Sequence, residues 1–397
     1  MKILLIETEY TGHHIALYLN SLVDNLLSKN HEITILTNKK AKHYPAFSYI
    51  RKKNIKILYL DDYKLFNRPN YFSILLNQII LFYKIKNNFY NNKEFDHIYF
   101  NTFSVIDKAI SLLGSPFKKS LKFSGLMPSI SIHKKFNFTE FLFYKNYINK
   151  FLFRKFLKID NLKKVFIPDI QFFRYAKKNI DFNQKIHLSY DFGFFDEKIN
   201  AQKTYLKSFK YFKNKLDKNK IYILVYGSIR YEKGLQYLLK ALSLLDKKNR
   251  INLIIAGKQD ILTENNINYY KNLSKLKDKL KIYNFFISKK LENYFFKKCD
   301  YVWTGYTKNY HGSSAVFFLS SQFFKPVITS NHGLINYYNK KFKIGYSVEI
   351  DNIKKIKKLL ESIHNRPNRF KIKNFTIINK NHNQKKFSDN ICSKIFS

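Results

Sequence analysis

The chain has 397 residues, with 72 Lys and Arg against 28 Asp and Glu, and its formal net charge is +44. Hydrophobic residues make up 45%, which is enough for a packed core and excludes a disordered chain, while only 11 glycines exclude collagen-like or linker-like sequence. The two cysteines, Cys299 and Cys392, cannot by themselves make a disulfide scaffold or a four-ligand zinc site, and they fit a reducing compartment.

The amino-terminal run and the apolar segments bear on localisation. Residues 1–9 form a short apolar run broken by acids, which is not typical of a secretory signal. The longest uncharged apolar-rich stretch lies between Arg68 and Lys84 and has 15 residues, whereas a membrane-spanning helix needs about 20. We therefore predict a cytoplasmic protein that is soluble or bound peripherally at the inner face of the membrane.

The first half of the chain alternates between predicted strands and helices. Residues 2–6 form an apolar run typical of a buried parallel strand, and a loop with Gly12, a helical pattern and a second strand at 32–37 follow. A strand, glycine loop, helix and strand in this order predict a right-handed βαβ unit. The same features predict further strands at 55–60, 97–101, 119–123 and 164–167.

The second half repeats this pattern. A strand predicted at 221–226 ends at Gly227, and a helical leucine pattern follows it. Further strands are predicted at 251–256, 281–287, 301–304 and 326–329. Two α/β sections predict two doubly wound domains, with a boundary near 187–201, and the fold class α/β.

The strongest chemical motif surrounds the first strand of the second half. Gly227 ends that strand, Gly234 opens the next helix, and Arg230 and Lys233 lie between them. A helix amino terminus attracts anions, a guanidinium can bind two phosphate oxygens, and an ammonium adds a point charge. The motif predicts a diphosphate site, although solvated charges on a first helical turn are the alternative.

A second motif precedes an apolar helix. The run His311-Gly312-Ser313-Ser314 stands before that helix, and residues 325–330 follow it with the sequence Lys-Pro-Val-Ile-Thr-Ser. Serines in this position predict a helix cap, and the turn can also hold phosphate or sugar hydroxyls through backbone N–H groups.

These two motifs together resemble those of the GT-B glycosyltransferases of the retaining, glycogen-synthase-like group (glycosyl transferases group one). The resemblance rests on Gly-x-x-Arg-x-x-Lys-Gly at 227–234 and on Lys-Pro-Val-Ile with a following glycine, and it covers about 221–348. It implies two Rossmann-like domains facing a central cleft, a nucleotide-sugar donor, no cofactor and no required metal. It also implies an acceptor-side domain at 1–190, a donor domain at 191–375 and a carboxy-terminal helix at 376–397 that crosses back to the first domain.

The resemblance also implies roles for individual residues. Arg230 and Lys233 would contact the donor diphosphate as catalytic groups, with Gly227 and Ser228 beside them and Phe286, within 284–287, near the nucleobase. The remaining predicted donor contacts are His311, Gly312, Ser313 and Ser314. One departure is that residues 301–348 contain no Asp or Glu, so the glutamate that many members place on the donor ribose is missing.

The loop after the first strand is predicted to serve the acceptor. Glu9 and His13 are candidate catalytic groups there, because an imidazole titrates near neutrality and can act as a general base. Gly12, His14 and the more distant His133 are predicted acceptor-side residues. The alternative for each histidine is an ordinary packed or solvated side chain.

Residues 138–158 combine aromatic and basic side chains at helical spacing. Such a helix is typical of a membrane interface, which would suit a lipid-linked acceptor. A helix packed on the core with a cationic outer face is the alternative.

The predicted function is therefore transfer of a hexosyl-type sugar from a nucleoside-diphosphate sugar to a glycan or glycolipid hydroxyl in cell-envelope polysaccharide synthesis. A GT-B-like binding protein or an epimerase-type relative without transferase activity is the alternative. A nucleic-acid partner is not predicted, because the charge is mostly lysine spread along the chain and no zinc-finger or RNP-like motif is present.

Overall fold

The computed structural model describes residues 1–10, 14–44, 47–64, 70–128, 130–134, 141–193, 216–273, 276–310, 312–365 and 370–396. For residues 14 and 141–143 it describes the backbone alone. The chain divides into a first unit, Met1–Asp191 with Gln384–Ser397, and a second unit, Phe192–Asn383.

The first unit is built on a seven-stranded sheet in which all neighbouring strands are parallel. Its strands are β1 Lys2–Glu7, β2 Glu32–Asn38, β3 Lys56–Leu60, β4 His97–Phe100, β5 Lys122–Leu126, β6 Leu162–Ile167 and β7 Ile186–Leu188. Their order in the sheet is β3-β2-β1-β4-β5-β6-β7. The central strand β1 is buried at every residue after Lys2, which explains its continuous apolar sequence.

Helices cover this sheet. They are α1 Asn20–Ser28, α2 Ser48–Arg51, α3 Tyr71–Phe89, α4 Asp107–Leu113, α5 Phe141–Leu157 and α6 Ile170–Asn179, and a π-helix at His14–Leu19 runs into α1. Phenylalanines fill much of the core between sheet and helices: the ring centroids of Phe103 and Phe156 lie 5.0 Å apart, and Phe100, Phe117 and Phe123 pack around them.

The second unit repeats the architecture with a six-stranded parallel sheet. Its strands are β8 Ile221–Tyr226, β9 Ile251–Ala256, β10 Leu280–Tyr283, β11 Tyr301–Thr304, β12 Val327–Ser330 and β13 Gly345–Val348, in the order β10-β9-β8-β11-β12-β13. Its helices are α7 Leu235–Ser243, α8 Ile261–Asn272, α9 Lys289–Lys298, α10 Ala315–Gln322, α11 Gly333–Phe342, α12 Ile353–Asn365 and α13 Ile372–Asn381.

The last helix, α14 Gln384–Ile395, belongs to the first unit. Phe387 is buried there against the ring of Tyr18, at 5.1 Å between centroids. Asn25 of α1 donates to the Asp389 carboxylate at 2.6 Å. Helix α14 thus packs on α1 and on the π-helix that precedes it.

The predicted α/β fold with two Rossmann-like domains is confirmed. Strands β8, β9 and β11 have the predicted bounds, but the strand predicted at 119–123 lies at Lys122–Leu126, because Ser124 and Gly125 are buried strand residues despite their loop-like character. The strand predicted at 281–287 stops at Tyr283. Among the described residues, no helix is both long and apolar enough to span a bilayer.

Both sheets reverse their strand order at one point. In the first sheet the reversal lies between β1 and β4, and in the second it lies between β8 and β11. Connections leave such a pair of strands in opposite directions, which opens a crevice at their carboxyl ends where α/β proteins bind ligands. The loops after these four strands are therefore where a functional site is expected.

Candidate functional site

The loops after β8 and β11 are joined by close contacts in the second unit. Gly234 has a φ of +60°, and a Cβ atom there would lie 2.7 Å from the carbonyl oxygen of Gly305. The indole N–H of Trp303 donates to the carbonyl oxygen of Lys233 at 2.8 Å. The backbone N–H of Thr307 donates to the carbonyl oxygen of Glu232, also at 2.8 Å. The loop that carries Arg230 and Lys233 is thus held at the reversal point of the sheet.

Lys233 is partly buried at the carboxyl end of β8. Its ammonium donates to the carbonyl oxygen of Tyr226, the last residue of that strand. Gly227 turns the chain beside the ammonium with a φ of +94°, which favours glycine, and a Cβ atom at this position would be in ordinary contact with Nζ at 3.4 Å. Burial, with a contribution from the charge of Arg230, lowers the pKa of Lys233 to about 7. A bound anion would favour the protonated form of this lysine.

Arg230 is more exposed than Lys233. Its side chain is 58% accessible, and Nη2 lies 3.5 Å from Oε2 of Glu232. The guanidinium is close enough to Lys233 to oppose its charge, so the two cations share one region at the end of β8. Arg230 keeps the freedom to turn toward a ligand, whereas Lys233 is held in place.

The amino terminus of α10 starts beside the same loop. Val316 of its first turn would lie 3.8 Å from a Cβ atom at Gly227. The predicted serine cap is wrong in its detail: Ser314 occupies the cap position but makes no side-chain bond to the helix. Its hydroxyl lies instead 3.1 Å from that of Tyr306, a buried hydroxyl that offers a competing partner. The first turn of α10 therefore has N–H groups without a side-chain acceptor, which favours an anion.

An aromatic pair shapes the turn before α10. The rings of Tyr306 and Tyr310 stack at 3.9 Å between centroids, and the Tyr310 hydroxyl donates to the carbonyl oxygen of Ser313. Gly312 packs against this pair, because a Cβ atom there would lie 3.2 Å from the Tyr310 hydroxyl. Ser313 keeps a buried hydroxyl oxygen without a partner. His311 lies outside the described residues.

The other predicted donor contacts lie on neighbouring loops. Ser228 is exposed directly after Gly227. Phe286 is 79% exposed between β10 and α9. The Asn284 carboxamide joins the loops after β9 and β10, because it accepts from the backbone N–H of Gln259 at 2.9 Å and donates to Glu264 at 3.0 Å. These loops lie at the ends of adjacent parallel strands of the same sheet.

A buried carboxylate marks the reversal point of the first unit. Glu7 ends β1 and is 1% exposed. Its Oε2 accepts from the Asn101 amide at 2.5 Å and from the Thr102 hydroxyl at 2.9 Å, both just after β4. Its Oε1 accepts from the backbone N–H of Glu9 at 2.8 Å. Burial raises the pKa of Glu7 to about 7, because these bonds offset only part of the desolvation.

The predicted catalytic loop after β1 is described in part. Glu9 is a partly exposed carboxylate, and the Lys64 ammonium lies 2.9 Å from its Oε1. Gly12 and His13 lie outside the described residues, and for His14 only the backbone, at the start of the π-helix, is described. The structure therefore brings Glu9 to the expected edge of the sheet but ties it to a lysine.

His133 lies at the carboxyl edge of the first sheet, after β5. Its Nε2 lies 3.8 Å from Oδ2 of Asp169, which caps α6 directly after β6. Burial lowers the pKa of His133 to about 4 and that of Lys134 to about 8. The imidazole is neutral at pH 7, and its Nδ1 is buried without a partner.

Some residues of these sites were missed by sequence analysis. The sequence places both Glu7 and Glu9 at the carboxyl end of the first strand, but only Glu9 is given a role, because nothing in the sequence signals the burial of Glu7. Its partners Asn101 and Thr102 follow β4, which the sequence cannot place next to β1. Tyr306 and Tyr310 carried no signal, because aromatic residues are frequent throughout this chain. In the described part of the chain, no three His, Cys, Asp or Glu side chains gather in a way that could hold a metal ion.

Comparisons with known proteins address the family of the second unit and the fold of the chain. The sequence profile of the family Glycosyl transferases group 1 matches residues 207–377, a stretch within the second unit that includes the loops after β8 and β11. No curated protein matches the chain by sequence at a significant level.

Solved structures resemble the chain over its whole length. HepE (Alr3699) from Anabaena in complex with UDP superposes with a TM-score of 0.68 at 12% identity, over 100% of this chain and 99% of that one. Sucrose-phosphate synthase from Thermosynechococcus elongatus gives 0.69 at 14%, over 99% and 96%. WaaG, a glycosyltransferase involved in lipopolysaccharide biosynthesis, gives 0.66 at 10%, over 100% of both chains. These likenesses show that the chain has the GT-B fold.

Proposed function

We propose that this protein is a glycosyltransferase that uses a nucleoside-diphosphate sugar as donor. The main support is that the Lys233 ammonium, the Gly227 turn and the amino terminus of α10 lie together at the reversal point of the second sheet. The family profile that covers this region and the UDP held by the Anabaena protein support the same reading.

The reaction follows from the charges at this point. The bond between the anomeric carbon and the diphosphate oxygen breaks, a bond from that carbon to an acceptor hydroxyl oxygen forms, and the acceptor proton is released. Lys233, Arg230 and the helix terminus would stabilise the negative charge that develops on the departing diphosphate. Glu9, with His13, is the proposed group on the acceptor side, and the transfer is proposed to retain anomeric configuration without a metal or cofactor.

A glycan or glycolipid of the cell envelope is the proposed acceptor, and the transferred sugar is proposed to be a hexosyl-type group. The involvement of WaaG in lipopolysaccharide biosynthesis and the aromatic, basic surface of α5 support this choice. The proposed location is the cytoplasm, at the inner face of the membrane.

Binding of nucleoside diphosphates to purified variants tests the donor site. UDP is the first nucleoside diphosphate to test. Arg230→Ala and Lys233→Ala should each raise the Kd for the preferred nucleoside diphosphate by about 10- to 100-fold, because each removes a charge-assisted hydrogen bond of ~1.5–3 kcal/mol. Calorimetric titration measures the Kd. Lys240→Ala, which removes an exposed lysine of α7, is the matched control and should bind as the unaltered protein does.

Two outcomes would contradict the proposal in different ways. If no nucleoside diphosphate binds, or if both variants bind as tightly as the control, the donor site is elsewhere. The second outcome is that the diphosphate binds and both variants lose affinity as expected, but no nucleotide sugar is used for transfer or hydrolysis. The protein would then be a GT-B-like binding protein, which is consistent with the absence of a glutamate for the donor ribose.

A further inference from the structure

The outward face of α5 carries large apolar side chains where a surface helix is normally polar. Tyr144, Tyr147, Ile148 and Phe151 are 52%, 72%, 46% and 54% exposed. Their spacing places them within about 100° of one another around the helix. The opposite face packs on the core through Phe153 and Phe156, which are buried. The helix is therefore apolar on both sides, and core packing explains only the inner one.

The first turn of α3 extends this surface. Tyr71 donates its hydroxyl to the Asn149 carboxamide of α5 at 3.3 Å, and the Lys145 ammonium lies 5.6 Å from the centre of its ring. The next residue, Phe72, is 66% exposed. We call the set Phe72, Tyr144, Tyr147, Ile148 and Phe151 the aromatic face.

The two helices that carry the aromatic face supply cations to it and no carboxylates. The sequences of α3 and α5 contain no Asp or Glu. Arg154 and Lys155 are exposed one turn beyond Phe151, on the same side of the helix, and Lys155 lies 5.0 Å from the centre of the Phe151 ring. A soluble protein partner would have to cover both the apolar surface and several unpaired charges. An anionic bilayer meets both demands, because the rings enter the interface and the cations meet phosphates.

The aromatic face lies near the carboxyl edge of the first sheet. The amino termini of α3 and α5 follow β3 and β5, so they lie at the carboxyl edge of the first sheet, the edge that holds Glu7, Glu9 and His133. Phe72 and Tyr144 belong to the first turns of these helices, and Tyr147 belongs to the second turn of α5. A membrane in contact with them would lie beside the acceptor-side loops.

We propose that the aromatic face docks the first unit onto a membrane that contains anionic lipids. This inference deepens the proposed function, because it rests on the proposed membrane location and assigns that contact to one surface, and it does not depend on the donor site. It predicts reversible peripheral binding, since a few rings and charges give modest affinity.

Flotation of the full-length protein with liposomes tests the proposal. The protein should float with vesicles of phosphatidylcholine and phosphatidylglycerol at about 0.1 M salt, and should be released at about 1 M, where the Debye length falls to ~3 Å. Vesicles of phosphatidylcholine alone should retain much less. Tyr147→Ser with Phe151→Ser should lower the partition coefficient at least about tenfold, because the apolar area that enters the interface is lost.

The matched control carries the same kind of change on the second unit. Ile261→Ser with Tyr269→Ser alters side chains that are 77% and 63% exposed on α8, and it should leave flotation unchanged. All four altered side chains are exposed, so both variants should fold, which circular dichroism and the melting temperature check. Binding of nucleoside diphosphates should stay the same in both variants, which separates this test from that of the donor site.

Three results would overturn the proposal. The first is that the unaltered protein fails to float with anionic vesicles at low salt. The second is that the control variant loses flotation as much as the aromatic-face variant does. The third is that the unaltered protein does not float but forms dimers, which the aromatic-face variant abolishes. The last result would assign the face to a second copy of the chain.

Discussion

At the scale of single residues, Glu7 has properties that depend on its tertiary contacts. Its carboxylate is almost fully buried, and three hydrogen bonds from Asn101, Thr102 and the Glu9 backbone hold it. These bonds tie the start of the loop after β1 to the end of β4. Glu7 is therefore a positioning residue for the loop after β1.

The raised pKa of Glu7 makes a prediction about stability. The pKa is about 7 in the folded state against 4.5 ordinarily, so between these values the folded protein binds more protons than the unfolded chain, and ionisation of Glu7 lowers stability as pH rises. This loss should be absent in Glu7→Gln. The change in the free energy of unfolding from pH 5 to pH 8 should therefore be more favourable in the variant than in the unaltered protein by about 1–3 kcal/mol.

Chemical denaturation at the two pH values measures this difference. Glu94→Gln, which changes a more exposed carboxylate near Lys56, should leave the pH dependence close to that of the unaltered protein. An unchanged pH dependence in Glu7→Gln would show that Glu7 titrates at its ordinary value.

At the scale of elements, the last helix is the clearest dependence of one segment on another. The helix α14 is remote in sequence from α1, yet Phe387, Ile391 and Cys392 are buried in the first unit. Because isolated helices of this length are marginal in water, α14 depends on this packing for its own stability.

Removing the Phe387 ring should therefore destabilise the first unit. Phe387→Ala is expected to cost about 3–5 kcal/mol through the cavity that it leaves. Phe286→Ala changes the same residue type at a position that is 79% exposed, and it should cost less than about 0.5 kcal/mol. Denaturant unfolding, followed by the fluorescence of tyrosine and by circular dichroism, compares the two; equal costs would show that α14 does not support the unit.

At the scale of the whole molecule, charge is the dominant feature. The formal net charge is +44, so most of the cations have no acid available to them. Repulsion among them opposes the compact state, and it weakens as salt screens it.

The melting temperature should consequently rise with salt. An increase of about 2–4 °C between low salt and about 0.3 M sodium chloride would correspond to ~1 kcal/mol of relieved repulsion for units of this size. Differential scanning fluorimetry measures it, with sucrose at equal osmolality as the uncharged control. A melting temperature that stays flat or falls would mean that local ion pairs outweigh the net repulsion.

The predictions from sequence succeeded where the signal was local. The apolar runs at Ile221–Tyr226, Ile251–Ala256 and Tyr301–Thr304 are strands with those bounds, because a strand buried on both faces must be apolar at every position. The short strands Ile186–Leu188 and Gly345–Val348 were missed, since three or four residues with polar neighbours carry no such signal. Ser314 was expected to cap α10, but its hydroxyl pairs with Tyr306, a partner eight positions away.

By itself, the sequence determined the alternation of strand and helix, and with it the two parallel sheets, because burial and backbone hydrogen bonding leave few other uses for such apolar runs. It also placed Arg230 and Lys233 between a strand and a helix. Only the tertiary structure decided that β8 lies next to β11 and β1 next to β4. Those adjacencies set the surroundings of Lys233 and Glu7, and desolvation by residues distant in sequence, rather than the identity of either side chain, brings both pKa values to about 7.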